Sequence, residues 1–121
     1  MFEVSVTQSF AAAHQLRGYK GKCERLHGHN YRVEVTAAGE KLDGIGLLLD
    51  FVHLKAALRE VMEPLDHYNL NEVPPFDRIN PSAENIAWHI CTEVQRRLGE
   101  VGRVSQVKVW ETDCCVATYR P

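Results

Sequence analysis

The segment CERLHGHN, residues 23–30, places a thiol and two imidazoles within a few positions of a chain that has four cysteines and six histidines in all. Zinc favours such borderline-soft ligands, and three neutral imidazoles with one open position make a common catalytic arrangement. On a β-strand side chains repeat every second residue, so His27 and His29 point the same way and can reach one ion. A third ligand has to come from elsewhere, and AAAH places His14 just past the first strand. Cys23 has two readings: a fourth ligand closing a structural site, or a thiol beside an open one. Zinc and a neighbouring Lys22 or Arg25 would both favour the thiolate, which suits a proton acceptor working near neutral pH. An isolated histidine is more often an ordinary hydrogen-bonded residue, and that reading holds for His53 and His89.

These residues must be positioned by the elements around them. FEVSVTQSF alternates Phe2, Val4, Val6 and Phe10 with polar residues, the period of a strand with one buried face. Residues 15–26 carry glycines and charges without a clean period and read as a loop. From His27 the alternation resumes, with His27, His29, Tyr31, Val33 and Val35 on one face, and runs to about Gly39. GEKLDGIG is a turn, LLLDF a short apolar entry, and Asp50 a helix cap. Phe51, Leu54, Leu58, Val61 and Leu65 then follow helical spacing. After a proline-bearing loop, Ser82 caps a second helix with the stripe Ala83, Ile86, Ala87, Ile90, Cys91, Val94 and Leu98, closed by Gly99. VSQVKVWETD and CVATY are two closing strands. The order ββ(β)ααββ, with antiparallel pairing and helices on one face, defines an α+β domain spanning residues 1–121.

At 121 residues, 45% hydrophobic and 25% charged, the chain has the composition of one globular domain, which at this size buries roughly 65% of its unfolded surface. Fourteen basic and sixteen acidic residues give a net charge of -2 without a basic run, which argues against nucleic acid as a partner. No apolar run approaches membrane-spanning length and MFEVSVTQSF is no secretion signal, so a soluble cytoplasmic protein with free thiols is expected. No glycine-rich dinucleotide or phosphate loop is present.

FAAAHQL, KCERLHGHNY, LDHYNLN, PSAENIA and VWETD, in that order along nearly the whole chain, resemble the family of 6-pyruvoyl- and 6-carboxy-tetrahydropterin synthases, pterin enzymes of the tunnelling fold. The resemblance implies His14, His27 and His29 as zinc ligands, Cys23 as the proton-abstracting thiol, and Asp66 with His67 as a pair tuning proton transfer. It implies Glu111 as the pterin anchor, since a carboxylate can accept two parallel hydrogen bonds from the ring N–H and amino group. Without it, Glu111 is only an acid sharing a strand face with Val107 and Val109. The implied substrate is 7,8-dihydroneopterin triphosphate, with Arg17, Lys20, Lys22 and Arg25 as candidates for its phosphates. The implied assembly is a homohexamer of stacked trimers, an oligomeric barrel with sites at subunit junctions. The three residues between Cys23 and His27 resemble the carboxy-forming branch, where animal pyruvoyl-forming members carry a longer gap. The expected reaction is therefore formation of 6-carboxy-5,6,7,8-tetrahydropterin with release of acetaldehyde and triphosphate, in queuosine and 7-deazapurine biosynthesis. The alternatives are the pyruvoyl-forming reaction and a non-catalytic zinc-stabilised module. Cys114 and Cys115 receive no role.

Overall fold

A computed structural model describes the backbone of all 121 residues and every side chain except that of Cys23. Strand β1 (Phe2–His14) hydrogen-bonds along its full length to β2 (His27–Gly39), from Phe2 opposite Gly39 to His14 opposite His27. Helices α1 (Phe51–Met62) and α2 (Ala83–Leu98) follow, and β3 (Val104–Thr112) and β4 (Cys115–Tyr119) complete an antiparallel sheet of order β1-β2-β3-β4. The optional third strand does not form: the segment before α1 leads directly into the helix.

Both helices lie on one face of the sheet, α1 against β1 and α2 across β3 and β4, and they pack against each other. The alternation read from the sequence is what makes this possible. Val6, Phe10, Tyr31, Val33, Val35, Val107 and Val109 are buried beneath Leu54, Leu58, Ile86, Ile90 and Val94 of the helices. The caps are as expected: Asp50 Oδ1 accepts from the Val52 N–H at 2.9 Å and Ser82 Oγ from the Asn85 N–H at 3.1 Å. Gly99 ends α2 with φ of +56°, a conformation open to glycine without strain. Phe51, placed in the inner stripe from its spacing, is half-exposed; the residues of α1 that reach the core are Leu54, Ala57, Leu58, Val61 and Met62.

β1 extends further than its sequence contrast indicated. His14, expected just past the strand, is its last residue, because AAA continues the pairing with HGHN although its small side chains carry no visible period. The face that buries Phe10, Ala12 and Tyr31 therefore runs on into His14, His27 and His29, and the apolar core ends in imidazoles.

Ile90, fully buried in α2, is predicted to cost about 2–5 kcal/mol when changed to Ala, whereas Ser82→Ala costs about 1 kcal/mol through loss of the cap. Urea unfolding midpoints of the two variants check this; equal losses would contradict the assignment of α2's inner face.

Candidate active site

The antiparallel register brings His14 directly opposite His27, and Ala12 opposite His29, so the three rings meet at one end of the sheet. Their centroids are 4.6–5.1 Å apart in edge-on arrangements. His14 Nδ1 lies 2.6 Å from the Pro81 carbonyl oxygen, and His27 Nδ1 2.7 Å from that of Arg25. At such separations from an acceptor each Nδ1 must carry the proton and donate, leaving each Nε2 with a bare lone pair. Those two Nε2 atoms stand 3.1 Å apart. Two lone pairs at that distance repel unless a proton or a cation lies between them.

His29 sharpens the conflict. Its Nε2 is buried without a hydrogen-bond partner, although Glu111 Oε1 is 3.4 Å away. The same carboxylate oxygen is 3.2 Å from His14 Nε2. One donor atom from each of His14, His27, His29 and Glu111 falls within 4.8 Å of the others, so the group could hold a metal ion. A tetrahedral ion bonded to nitrogens at about 2.0–2.1 Å keeps them roughly 3.3–3.4 Å apart, close to the spacing observed.

The local surroundings disfavour protonation of two of the rings. Burial pushes the His14 imidazole below its ordinary value; the Pro81 hydrogen bond and Glu111 oppose the shift, and His27 adds to it. Burial also lowers His29, with Glu111 opposing and both other histidines reinforcing. Tyr31, fully buried beneath the cluster, sets its hydroxyl 3.0 Å from His14 Nδ1, and burial, then Glu111, drive that phenol upward, so it stays neutral.

Glu111 sits at an irregularity. Trp110 pairs with Val116 and Thr112 with Cys115, so Glu111 is an extra residue in β3 with no counterpart in β4. This β-bulge frees it from the ladder at the edge of the site. It also borders a cavity of about 310 Å³ between the first turn of α2, at Ala83 and Glu84, and β4 from Cys115 to Thr118.

Asp66 and His67 dock on the outer edge of β1. Asp66 Oδ1 accepts from the Ala11 N–H at 3.0 Å and from His67 Nδ1 at 2.9 Å, and the His67 N–H donates to the Ala11 carbonyl at 2.6 Å. His67 holds φ of +66°, a conformation that costs a non-glycine residue about 1 kcal/mol or more and is retained where surrounding contacts impose it. The carboxylate thus fixes one tautomer, and the exposed Nε2 faces outward. His67 and His29 line one groove of about 490 Å³ with Ala11, Ala13 and Asn30.

The structure thereby gathers His14, His27, His29 and Glu111 into one cluster and sets Asp66 and His67 on the adjoining groove. The Cys23 side chain lies outside the described residues; the backbone there forms a short turn, Lys22–Glu24, leading into His27. Arg17 is not free to hold phosphate, since its guanidinium donates to the carbonyls of Phe76, Asn71 and Ile79 at 2.8, 3.3 and 3.3 Å. Lys20, Lys22 and Arg25 remain exposed. His53 is exposed as expected, but His89 is half-buried with its ring edge-on to Phe76. Sequence reasoning missed the Pro81 and Arg25 carbonyls and the Tyr31 hydroxyl as partners of the histidines. Only Tyr31 left a signal, as the next residue along the His27–His29 face.

An α+β sheet-and-two-helix domain that ends its core in three convergent imidazoles and a carboxylate has the makings of a metal-assisted enzyme. The family model described as 6-pyruvoyl tetrahydropterin synthase matches residues 3–121, and the chain belongs to that family. It is 37% identical over 132 aligned positions to the human 6-pyruvoyl tetrahydrobiopterin synthase, covering 98% of this chain and 90% of the relative. It is 38% identical over 116 positions to the 6-carboxy-5,6,7,8-tetrahydropterin synthase of Synechocystis, covering 92% and 87%. The solved 6-pyruvoyl tetrahydropterin synthase of Caenorhabditis elegans superposes with a TM-score of 0.90 at 28% identity, over 99% of this chain and 95% of that one. The expected tunnelling fold is the one found. No helix among the described residues is long and apolar enough to cross a membrane.

The depressed histidines predict a pH dependence for the metal-free protein. His14, His29 and His89 titrate near 6.5 when unfolded and lower when folded, burial being the first cause for each. Below 6.5 the unfolded chain takes up protons the native state refuses, so stability is full above that pH and is lost as pH falls through the lowered native values. Thermal melts with chelator from about pH 8 to pH 5 should show this decline, and His29→Asn should flatten it. A flat profile in the wild type would show that these rings do not titrate below their unfolded value.

Proposed function

We propose that the protein is a zinc-dependent 6-carboxy-5,6,7,8-tetrahydropterin synthase acting on 7,8-dihydroneopterin triphosphate. The observation that carries this reading is the convergence of three imidazoles beside a carboxylate, two of them with proton-free Nε2 atoms, on a chain matched over residues 3–121 by a pterin-synthase family. His14, His27 and His29 hold the ion, which when bound supplies Lewis acidity to the oxygens of the substrate side chain. Zinc suits these ligands, since imidazole nitrogens are preferred by borderline-soft ions.

The remaining residues bind and move protons. Glu111 anchors the pterin by accepting from the ring N–H and amino group; both of its histidine contacts use Oε1, and the cavity at the start of α2 lies alongside it. Cys23, carried by the turn that enters His27, removes a proton from the side chain. Asp66 holds His67 with Nε2 available as proton acceptor, and the exposed ring receives and returns protons at the groove it shares with His29. Cleavage of the side chain, with uptake of one water and with the dihydropterin ring reduced as the side-chain carbon beside it is oxidised to the carboxylate, then releases acetaldehyde and triphosphate. The short Cys23–His27 spacing supports this product, because it sets the thiol by a tighter loop than in the pyruvoyl-forming branch, and a displacement of an extended residue, roughly 3.3 Å, changes which carbon is within reach.

Residues 1–121 form one functional unit in this reading, working in the cytoplasm for 7-deazapurine biosynthesis. Homohexamer formation is part of it. Among the described residues no strand covers the outer edge of β4, and that of β1 is met only by the 66–69 loop, so both edges are available to neighbouring subunits.

Anaerobic turnover of 7,8-dihydroneopterin triphosphate should give 6-carboxytetrahydropterin by mass spectrometry, with acetaldehyde trapped as a hydrazone. A pyruvoyl product without acetaldehyde would assign the sibling reaction, which the human relative's name favours.

Cys23→Ala should retain one zinc per chain and lose turnover. Glu111→Gln should retain zinc and weaken pterin binding about 10- to 100-fold, the loss of charge-assisted hydrogen bonds. Zinc lost with Glu111 would make it a fourth ligand, and zinc lost with Cys23 would favour a structural module.

A further inference from the structure

Arg17 follows His14 by three residues and, although exposed, directs both terminal nitrogens of its guanidinium to backbone carbonyls of the loop before α2, those of Asn71, Phe76 and Ile79. Its main chain is tied to the same loop. The Arg17 N–H donates to Asn80 Oδ1 and Asn80 Nδ2 donates to the Arg17 carbonyl, both at 2.9 Å. Gln15 and Asn71 make a second reciprocal pair, at 2.9 and 3.0 Å. Asn85 in α2 closes the set by donating to the Asn80 carbonyl at 2.8 Å. The next residue in the loop is Pro81, whose carbonyl accepts the His14 Nδ1 proton at 2.6 Å.

The connections form a ring: His14 continues by the chain to Arg17, Arg17 is clasped to Asn80, and Pro81 returns to His14. We propose that Arg17 and Asn80 are positioning residues for the metal site, holding the Pro81 carbonyl where it commits His14 to its Nδ1–H tautomer and leaves Nε2 as the donor. This rests on the proposed metal-binding reading of His14, His27 and His29. Proline suits the position because its own nitrogen has no proton to compete for nearby acceptors, while its carbonyl remains a full acceptor. Arginine is required because its planar fork of five N–H donors satisfies several carbonyls at fixed angles, which a lysine ammonium cannot reproduce. Partners that orient a ligand imidazole typically carry a 10- to 100-fold share of metal affinity.

The test uses zinc alone as probe. Zinc affinity of the full chain is measured by competition with a chromophoric chelator, below the melting temperature of each variant, for wild type, Arg17→Ala, Arg17→Lys, Asn80→Ala and the control Arg78→Ala, an exposed position in the same loop. Arg17→Ala and Asn80→Ala are expected to bind zinc about 10- to 100-fold more weakly, Arg17→Lys to recover little, and Arg78→Ala to match wild type. Imidazole nitrogen spectra should show the His14 Nδ1–H tautomer in wild type and a tautomer mixture in the weakened variants. Where Arg17→Ala does not fold, Asn80→Ala and Asn80→Ser give the same readout. Variants that melt earlier but keep wild-type affinity and a single His14 tautomer would reduce the clasp to a structural staple and overturn the proposal. Wild type that binds no zinc would overturn the metal reading itself, and the proposal with it.

Discussion

Two imidazole nitrogens 3.1 Å apart, each with its ring proton already given to a backbone carbonyl, set the central constraint on this molecule. Lone pairs facing one another in a partly buried place are costly unless something positive joins them. The fold imposes the arrangement rather than avoiding it: an uninterrupted ladder from Phe2–Gly39 to His14–His27 makes the two rings direct neighbours. The energy that keeps them there comes from the apolar face beneath, where Phe10 stacks on Tyr31 at 4.9 Å and the valines of β2 and β3 meet both helices. Core and candidate site are one continuous surface whose chemistry changes at Tyr31.

Stability and chemistry are consequently coupled in opposite senses at the two ends of the sheet. Toward Val33, Val35 and Val107 burial is favourable without qualification. Toward His14 burial lowers proton affinity and removes water, which weakens the metal-free protein while preparing its nitrogens as ligands. The Asp66–His67 turn shows the same exchange in its backbone, where a left-handed histidine is held by hydrogen bonds to Ala11.

Much of this was legible in the sequence because alternation is a local signal. His27 and His29 on one face, Glu111 in phase with Val107 and Val109, and the caps Asp50, Ser82 and Gly99 all follow from spacing and side-chain type. What stayed hidden depends on pairing between distant segments. The run AAAH has no contrast to reveal that β1 continues to His14. Arg17 looks like a free surface cation until residues 71–80 fold against it. His89, in sequence an ordinary isolated histidine, packs edge-on to Phe76 of the preceding loop. The roles of Asp66 and His67 as a pair came from resemblance, since an acid beside a histidine in a loop has no period to read.

The bulge at Glu111 bears on how this chain tolerates changes of length. Thr112 regains its pairing with Cys115 immediately after the extra residue, so the irregularity is confined to one position. Removing Glu111 would restore a regular ladder but take away the carboxylate that faces His14 and His29. A lengthening at the exposed Asp113–Cys114 tip, by contrast, leaves the phase of Val107, Val109 and Glu111 untouched. Insertions and deletions a few residues apart in this hairpin therefore have unequal consequences, and natural length variation here should gather at the tip and spare the bulge.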